Sequence, residues 1–452
     1  KGFAVILPTP WKSDDILYNA ALFIQDGEIK NIITKYELPD TGVFDDKRVF
    51  TPGALDDPIE FNGHKVGLMI CEDLWHPTVS NYLKNQGAEA LIVVNGSPYY
   101  TEINAHRTKQ ASSRVEETGL PLLYVNQVGS QDELVFDGRS FTMNEKGKIE
   151  KQLPAFKEHI GVLKNHKNVP SLSKEEEIYS ALVLGVRDYI EKNGFLGVLI
   201  GLSGGIDSAL TGAIAVDAIG TEKVQCVMMP SKYTSEDSLE DAKECASLLG
   251  VDYDIIPIKQ GVEAMDETLI NHLDPLKNSL AFENIQSRLR GLILMALSNA
   301  NGKMLLSTGN KSEMAVGYAT LYGDMCGGFN ALKDVYKTQV YALAKWRNKQ
   351  GNVTPERIIT KAPSAELKDN QTDQDSLPPY DVLDNILIDL IEHNKAPEDI
   401  NYDTETVWKV WKLLDRAEYK RRQAPPGTKI TAKAFGRDRR YPITNGYFDT
   451  KS

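Results

Sequence analysis

The stretch Val198-Leu-Ile-Gly-Leu-Ser-Gly-Gly-Ile-Asp-Ser-Ala-Leu210 constrains this chain more than any other. Val198–Ile200 is a short apolar run suited to a buried parallel strand, Ser203-Gly204-Gly205 is a tight turn, and Asp207 to Leu210 opens an amphipathic helix. Two glycines remove the Cβ atoms that would hold a phosphate away from the backbone, and the helix start supplies unpaired N–H groups. The loop is built to hold phosphate oxygens. It lacks the Gly-Lys-Thr/Ser ending of a Walker loop and the GxGxxG of a dinucleotide fold.

Around this loop strands and helices alternate. The spacing predicts a helix over Asp207–Ile219, strand Val224–Met229, helix Glu236–Leu249, strand Tyr253–Ile258, helix Asn284–Asn299 and strand Lys303–Ser307. That order implies an open parallel sheet covered by helices on both faces, with ligands at the carboxyl ends of the strands. Residues 1 to about 163 read instead as β-rich. Phe3–Leu7, Ala21–Ile24, Lys65–Ile70, Ala90–Val94, Leu122–Val125 and Gly161–Leu163 are short apolar runs, with helical stretches at Val79–Gln86 and Ala105–Thr118. Asp26-Gly27 and Asn144 to Gly147 suit hairpin turns. The polar run Lys164–Ser173 reads as a linker, and Ser173 followed by Glu175–Glu177 reads as a helix cap. The division expected is a domain over residues 1–165 and another over 174–452. The Arg-, Lys-, Pro- and Gly-rich stretch Lys420–Ile443 reads as a basic mobile flap.

A length of 452 residues accommodates two or three domains. The net charge, 51 − 63 = −12, argues against nucleic acid as a partner. No apolar run reaches the ~18 residues that span a membrane. Four widely spaced cysteines with no CxxC pair argue against disulfides and metal knuckles, and for a reducing cytoplasmic setting. The chain begins at Lys1 and runs directly into an apolar strand, so we expect a portion of the protein upstream of it.

Ser-Gly-Gly-x-Asp-Ser after a strand resembles the pyrophosphate loop of enzymes that adenylylate a carbonyl oxygen with ATP and expel AMP. Beyond it the chain offers Leu305-Leu-Ser-Thr-Gly-Asn-Lys-Ser-Glu313, whose carboxylate, with Asp207, suits Mg²⁺. The ordered set Leu202–Ser208, Glu283-Asn-Ile-Gln-Ser-Arg-Leu-Arg290, Ser307–Glu313, Tyr322-Gly-Asp324, Lys337 and Gly436-Arg-Asp-Arg-Arg-Tyr-Pro-Ile443 is similar to that of the NAD synthetases over residues 174–452. The resemblance implies that Ser203, Gly204, Gly205, Asp207 and Ser208 bind ATP phosphates, with Asp207 and Glu313 as Mg²⁺ ligands. It places Thr308 near the adenosine and phosphates, Met229 in the adenine pocket and Lys337 on phosphate. Ser364 stands on the ATP side, where the family often has Thr. Asn284, Arg288 and Asp324 face deamido-NAD, and Lys433 belongs to a flap closing over the site.

Val66-Gly-Leu-Met-Ile-Cys71-Glu-Asp-Leu-Trp75 sets a cysteine directly after an apolar run. Upstream stand Lys35-Tyr-Glu-Leu-Pro39, then Gly42-Val-Phe-Asp-Asp46 and Thr51-Pro-Gly53. This combination resembles the nitrilase-type amidohydrolases, and Asp132-Glu-Leu-Val-Phe-Asp-Gly138 matches the version fused to NAD synthetase. The resemblance implies an α-β-β-α sandwich, incomplete here, followed by a Rossmann-like ATPase domain. Cys71 is then the nucleophile toward glutamine, Lys35 the oxyanion stabiliser and Asp46 the second acid. The family's general-base Glu precedes the lysine by many residues, upstream of Lys1.

The expected reaction is amidation of deamido-NAD with ATP, through an adenylate, by ammonia from glutamine. Two rivals stand beside it. Another pyrophosphate-loop ligase, such as a GMP or asparagine synthetase, pairs the loop with a different amidotransferase cysteine. A nucleotide sensor binds ATP without releasing AMP or pyrophosphate. The resemblance further implies a homo-oligomer, at least a dimer through the synthetase domain.

Overall fold

Strand β1 runs from Ala4 through Pro8 and Pro10 to Ser13, well past Leu7 where the apolar run stops. It lies at the edge of an antiparallel sheet in the order β1-β2-β3, with β2 at Ile16–Gln25 and β3 at Glu28–Thr34. An edge strand has one side free of ladder bonds, so prolines are tolerated there. Asp26 (φ 52°) and Gly27 (φ 85°) form the expected two-residue turn between β2 and β3.

This computed structural model describes residues 2–162, 171–274, 277–369 and 371–445. The chain forms two compact units, Lys1–Gly129 with Val135–Ser171, and Ser130–Leu134 with Leu172–Ser452. In the first, strands β4 (Ile59–Phe61), β5 (His64–Ile70), β6 (Ala90–Asn95) and β7 (Leu122–Asn126) follow, then the hairpin β8 (Val128–Gln131) and β9 (Leu134–Asp137). Strands β4 to β7, with β10 (Phe141–Met143) and β11 (Ile149–Gln152), build a six-stranded sheet, order β11-β10-β7-β6-β5-β4, whose centre β5-β6-β7 is parallel, while β8 and β9 pair with each other in a separate two-stranded sheet.

One face of that sheet meets helices Pro77–Asn85 and Ile103–Thr118, joining Met69, Leu91, Val93 and Leu122 to Val79, Leu83, Ala111 and Val115. The other face, through Leu68, Ile70 and Val94, meets Ala21, Phe23 and Ile33 of the first sheet. Helix, sheet and sheet are three layers of the expected sandwich. The strand expected at Gly161–Leu163 is absent at Gly161 and Val162; Leu163 and linker residues 164–170 lie outside the described residues.

The main run of the second unit starts at Leu172. Ser173 accepts a hydrogen bond from the Glu176 N–H and caps helix Lys174–Lys192. Strands β12 (Val198–Gly201), β13 (Val224–Met228), β14 (Asp252–Ile255), β15 (Met304–Ser307) and β16 (Phe329–Asn330) form an all-parallel sheet in the order β14-β13-β12-β15-β16. Helices Ile206–Ile219, Glu236–Leu249, Lys259–Leu269 and Ser279–Asn301 lie between the strands in sequence. The strand order reverses between β12 and β15, and a crevice opens at the carboxyl ends of such a pair. Beyond the sheet, helices Tyr380–Ile391 and Thr404–Arg416 carry a core of their own around Leu383, Leu387, Leu390, Val407 and Val410.

The stretch Lys420–Ile443 is not a flap. Arg421, Thr428, Lys429, Ile430, Phe435 and Tyr441 are buried. Arg421 donates to the carbonyls of Ala315 and Leu414, each at 2.7 Å. The N–H groups of Ile430 and Thr431 both donate to Asp334. Basic composition suggested solvent exposure, but these cations find partners inside the unit. Among the described residues no helix is long and apolar enough to cross a membrane, and all four cysteines are free.

Candidate active sites

In the first unit β5 ends at Ile70, and Cys71, at φ 47°, turns the chain into a short 3₁₀ helix, Cys71–Trp75. A left-handed conformation costs a residue with a Cβ, and it persists only where neighbours fix it. Asp73 does the fixing. Its Oδ2 accepts the Ile70 N–H at 2.9 Å, while its Oδ1 accepts the N–H groups of Tyr36 (3.2 Å) and Glu37 (2.8 Å). One buried carboxylate thus ties the cysteine turn to the segment carrying Lys35. Burial pushes the Asp73 carboxyl up to about 6, against these N–H donors.

Lys35 is 3% exposed, and its Nζ lies 2.6 Å from Asp46 Oδ2. Burial pushes the Cys71 thiol up to about 11; the Lys35 charge opposes the rise, and Glu72 and Asp46 assist it. The Gly96 N–H, at the end of β6, is directed at the sulfur. Cys71, Lys35 and Asp46 therefore meet, as expected. The roles of Asp73 and Gly96 were missed: both depend on contacts between distant segments.

In the second unit a cavity of about 290 Å³ lies at the crevice and is lined by the loop Ser203–Ser208 together with Met229, Thr308, Glu313, Asp324, Lys337 and Ser364. The loop folds on itself: Ser208 Oγ accepts the Ser203 N–H at 3.2 Å and donates to the Gly205 carbonyl at 3.0 Å. Gly204 has φ 78°, and a Cβ there would meet the Ser238 carbonyl at 2.4 Å. Only glycine closes this turn.

Asp207, in the first turn of its helix, and Glu313, in a capping box with Asn310, both accept from Lys337 Nζ, Glu313 at 3.1 Å. Asn310 donates to the other Asp207 oxygen at 2.9 Å. Burial raises the Glu313 carboxyl, with Lys337 opposing. Burial also works against the Lys337 charge, yet Asp207 and Glu313 hold that ammonium above the ordinary lysine range. Two carboxylates aimed at one cation suit Mg²⁺, which keeps its other positions for phosphate and water. Among the described residues no three metal-ligating side chains converge.

Asn284 and Asp324 are linked through Thr320, whose hydroxyl donates to Asn284 at 3.0 Å and whose N–H donates to Asp324 at 2.6 Å. Asn284, Arg288 and Lys433 do not line the cavity. Arg288 donates to the Leu321 carbonyl at 3.1 Å and Lys433 Nζ to that of Glu392 at 2.9 Å, so Lys433 is anchored rather than carried on a lid. Arg290, Lys361, Glu366 and Asp373 also line the cavity and were missed. Arg290 stands in a quoted motif; the others follow a stretch with no strand–turn–helix pattern.

Residues 178–424 match the NAD synthase family and residues 1–164 the carbon–nitrogen hydrolase family. The chain is 48% identical over 444 residues, 95% of its length and 82% of the relative's, to a glutamine-dependent NAD(+) synthetase of Acinetobacter baylyi. The chain belongs to the glutamine-dependent NAD(+) synthetase family. It is 45% identical to the family member from Rhodobacter capsulatus, over 99% of this chain and 85% of that one. Among solved structures, the glutamine-dependent NAD+ synthetase of Acinetobacter baumannii in complex with ADP superposes with a TM-score of 0.77 at 45% identity, covering 98% of this chain and 85% of that one. Along this chain the carbon–nitrogen hydrolase match precedes the NAD synthase match.

Proposed function

We propose that Cys71 takes ammonia from glutamine and that the cavity at the Ser203 loop uses ATP to install it on deamido-NAD. One observation carries this reading: the phosphate loop, the Asp207–Glu313 pair and the Lys337 ammonium meet in one cavity. A sensor needs the loop, but not a carboxylate pair around a cation.

In the first unit Cys71 Sγ attacks the glutamine carboxamide, with Lys35 beside the oxygen that gains charge and the Gly96 N–H beside the sulfur. Ammonia leaves and water frees glutamate from the thioester. A thiol with a pKa of about 11 is neutral at pH 7, so its proton must leave as the C–S bond forms and pass to the amide nitrogen, which departs as ammonia when the C–N bond breaks. In the second unit an oxygen of the nicotinate carboxylate attacks the α-phosphorus of ATP and pyrophosphate departs. Ammonia then attacks the acyl carbon and AMP departs. Loop N–H groups and Lys337 stabilise charge on the phosphates, and Asn284, Arg288 and Asp324 receive deamido-NAD. Asp207 and Glu313 would hold Mg²⁺, which would neutralise phosphate charge. Met229 and Thr308 border the adenosine, and Ser364 the phosphates. We assign ammonia release to a domain over residues 1–165 and amidation to a domain over 174–452.

We further propose an oligomer, at least a dimer, through the synthetase unit. Ile270, Leu280 and Leu292, 71%, 66% and 66% exposed, lie beside or on helices Lys259–Leu269 and Ser279–Asn301. Sedimentation velocity checks it: a monomer at micromolar concentration refutes it.

The test of function is a comparison of amide donors. Cys71→Ala abolishes glutamine-supported NAD formation and leaves ammonia-supported formation within about twofold, because the thiol serves only ammonia release. If glutamine still supports turnover, the assignment of Cys71 is wrong.

A further inference from the structure

Lys361 follows the short helix Glu356–Thr360 and lines the same cavity as the phosphate loop. Its Nζ lies 2.7 Å from Ser238 Oγ and 3.3 Å from Ser235 Oγ, with Glu366 Oε1 at 3.5 Å. Ser238 is also the residue whose carbonyl backs the Gly204 turn. The ammonium therefore stands one residue's thickness from the loop, on a wall that Lys337 does not occupy.

Lys361 donates to two hydroxyls and faces the Glu366 carboxylate, but none of these partners depends on it. Ser235 caps helix Glu236–Leu249 through the Ser238 N–H without it. Glu366 already accepts hydroxyl hydrogens from Ser235 (2.7 Å) and Ser238 (2.8 Å), so its contact with Lys361 is the loosest of the three. Glu366 itself sits at φ 48°, a strained setting for a residue with a Cβ, and these bonds hold it there. Lys361 keeps 29% of its side chain exposed, toward a cavity rather than the fold.

Charge in the cavity points the same way. Lys337 is neutralised by Asp207 and Glu313, and Arg290 Nε donates to the Met229 carbonyl at 3.0 Å. A nucleoside triphosphate entering here meets more carboxylates than cations, since Asp324, Glu366 and Asp373 line the same space.

We propose that Lys361 is a catalytic residue, contacting the β- and γ-phosphates, and that Glu366 positions it. This rests on reading the cavity as the ATP site. As the nicotinate oxygen bonds to the α-phosphorus, the bond from that phosphorus to the α,β-bridging oxygen breaks. Its electron pair passes to pyrophosphate. The Lys361 side chain stabilises the charge gained by that leaving group.

The experiment uses the full chain with saturating ammonia, which removes the first unit from the measurement. Lys361→Met is expected to raise the pyrophosphate inhibition constant and the KM for ATP about tenfold or more, as for loss of a charged hydrogen bond. The KM for deamido-NAD stays within about twofold, and Lys361→Arg recovers most of the loss. A pyrophosphate inhibition constant within twofold of the parent's overturns the proposal, as does a uniform loss across all substrates. Glu366→Gln, which keeps an acceptor for the serine hydroxyls but removes the charge that positions Lys361, should raise the pyrophosphate inhibition constant by less than Lys361→Met does; a constant unchanged from the parent overturns the positioning role. A parent that releases neither AMP nor pyrophosphate refutes the ATP-site reading instead.

Discussion

Asp73 illustrates how one side chain sets the geometry of two others. Its oxygens receive three N–H groups, one from the turn that aims Cys71 and two from the residues after Lys35. An amide in its place offers one accepting oxygen and turns an NH₂ toward a donor. Asp73→Asn should therefore cost about 1–3 kcal/mol of stability in the first unit. Glutamine-supported kcat/KM should fall about a hundredfold, the loss expected of an ångström-scale misplacement. Ammonia-supported turnover is the control: it should stay within about twofold. The acid was legible as a residue, since it stands in Cys71-Glu-Asp73, but not as a tie. Its partners lie 36 and 37 positions away, and sequence spacing carries no such distance.

At the scale of the element, the strand–turn–helix that holds phosphate was legible almost to the residue. Val198–Gly201 and Ile206–Ile219 follow from an apolar run, two glycines and amphipathic spacing. The reason is local: Gly204 must take φ 78°, and no side chain fits between it and the Ser238 carbonyl. Gly204→Ala should abolish synthesis with either amide donor, because it displaces the turn itself. A melting curve then separates that loss from unfolding, with a stability cost of about 1–3 kcal/mol expected. Elements whose stability comes from distant packing were read poorly. Strand β1 extends beyond its apolar run because β2 pairs with it through Pro8 and Pro10. Basic composition made Lys420–Ile443 read as a flap, although Asp334, Glu418 and Asp438 supply its cations and N–H groups with partners. Lys361 and Glu366 carry no local pattern at all and emerge only from the fold.

At the scale of the whole molecule, two units of unlike chemistry respond differently to the same treatment. Chelation of divalent metal should stop AMP and pyrophosphate release with either amide donor, since Asp207 and Glu313 then face the phosphates without Mg²⁺. The Cys71 centre contains a thiol, an amine and carboxylates, so its glutaminase step should survive. A glutamate assay run with and without chelator checks this, and equal loss of both steps sinks the assignment of the metal to the second unit. Lys337 adds a further consequence for the resting protein. Its ammonium lies where two buried carboxylates converge, so the apo fold is spared their mutual repulsion. Lys337→Met removes that internal counterion and should cost about 3–5 kcal/mol, the penalty of leaving buried charge uncompensated. Added magnesium alone, without nucleotide, should then raise the melting temperature of the variant more than that of the parent, because in the parent each ion must first displace an amine that is already seated.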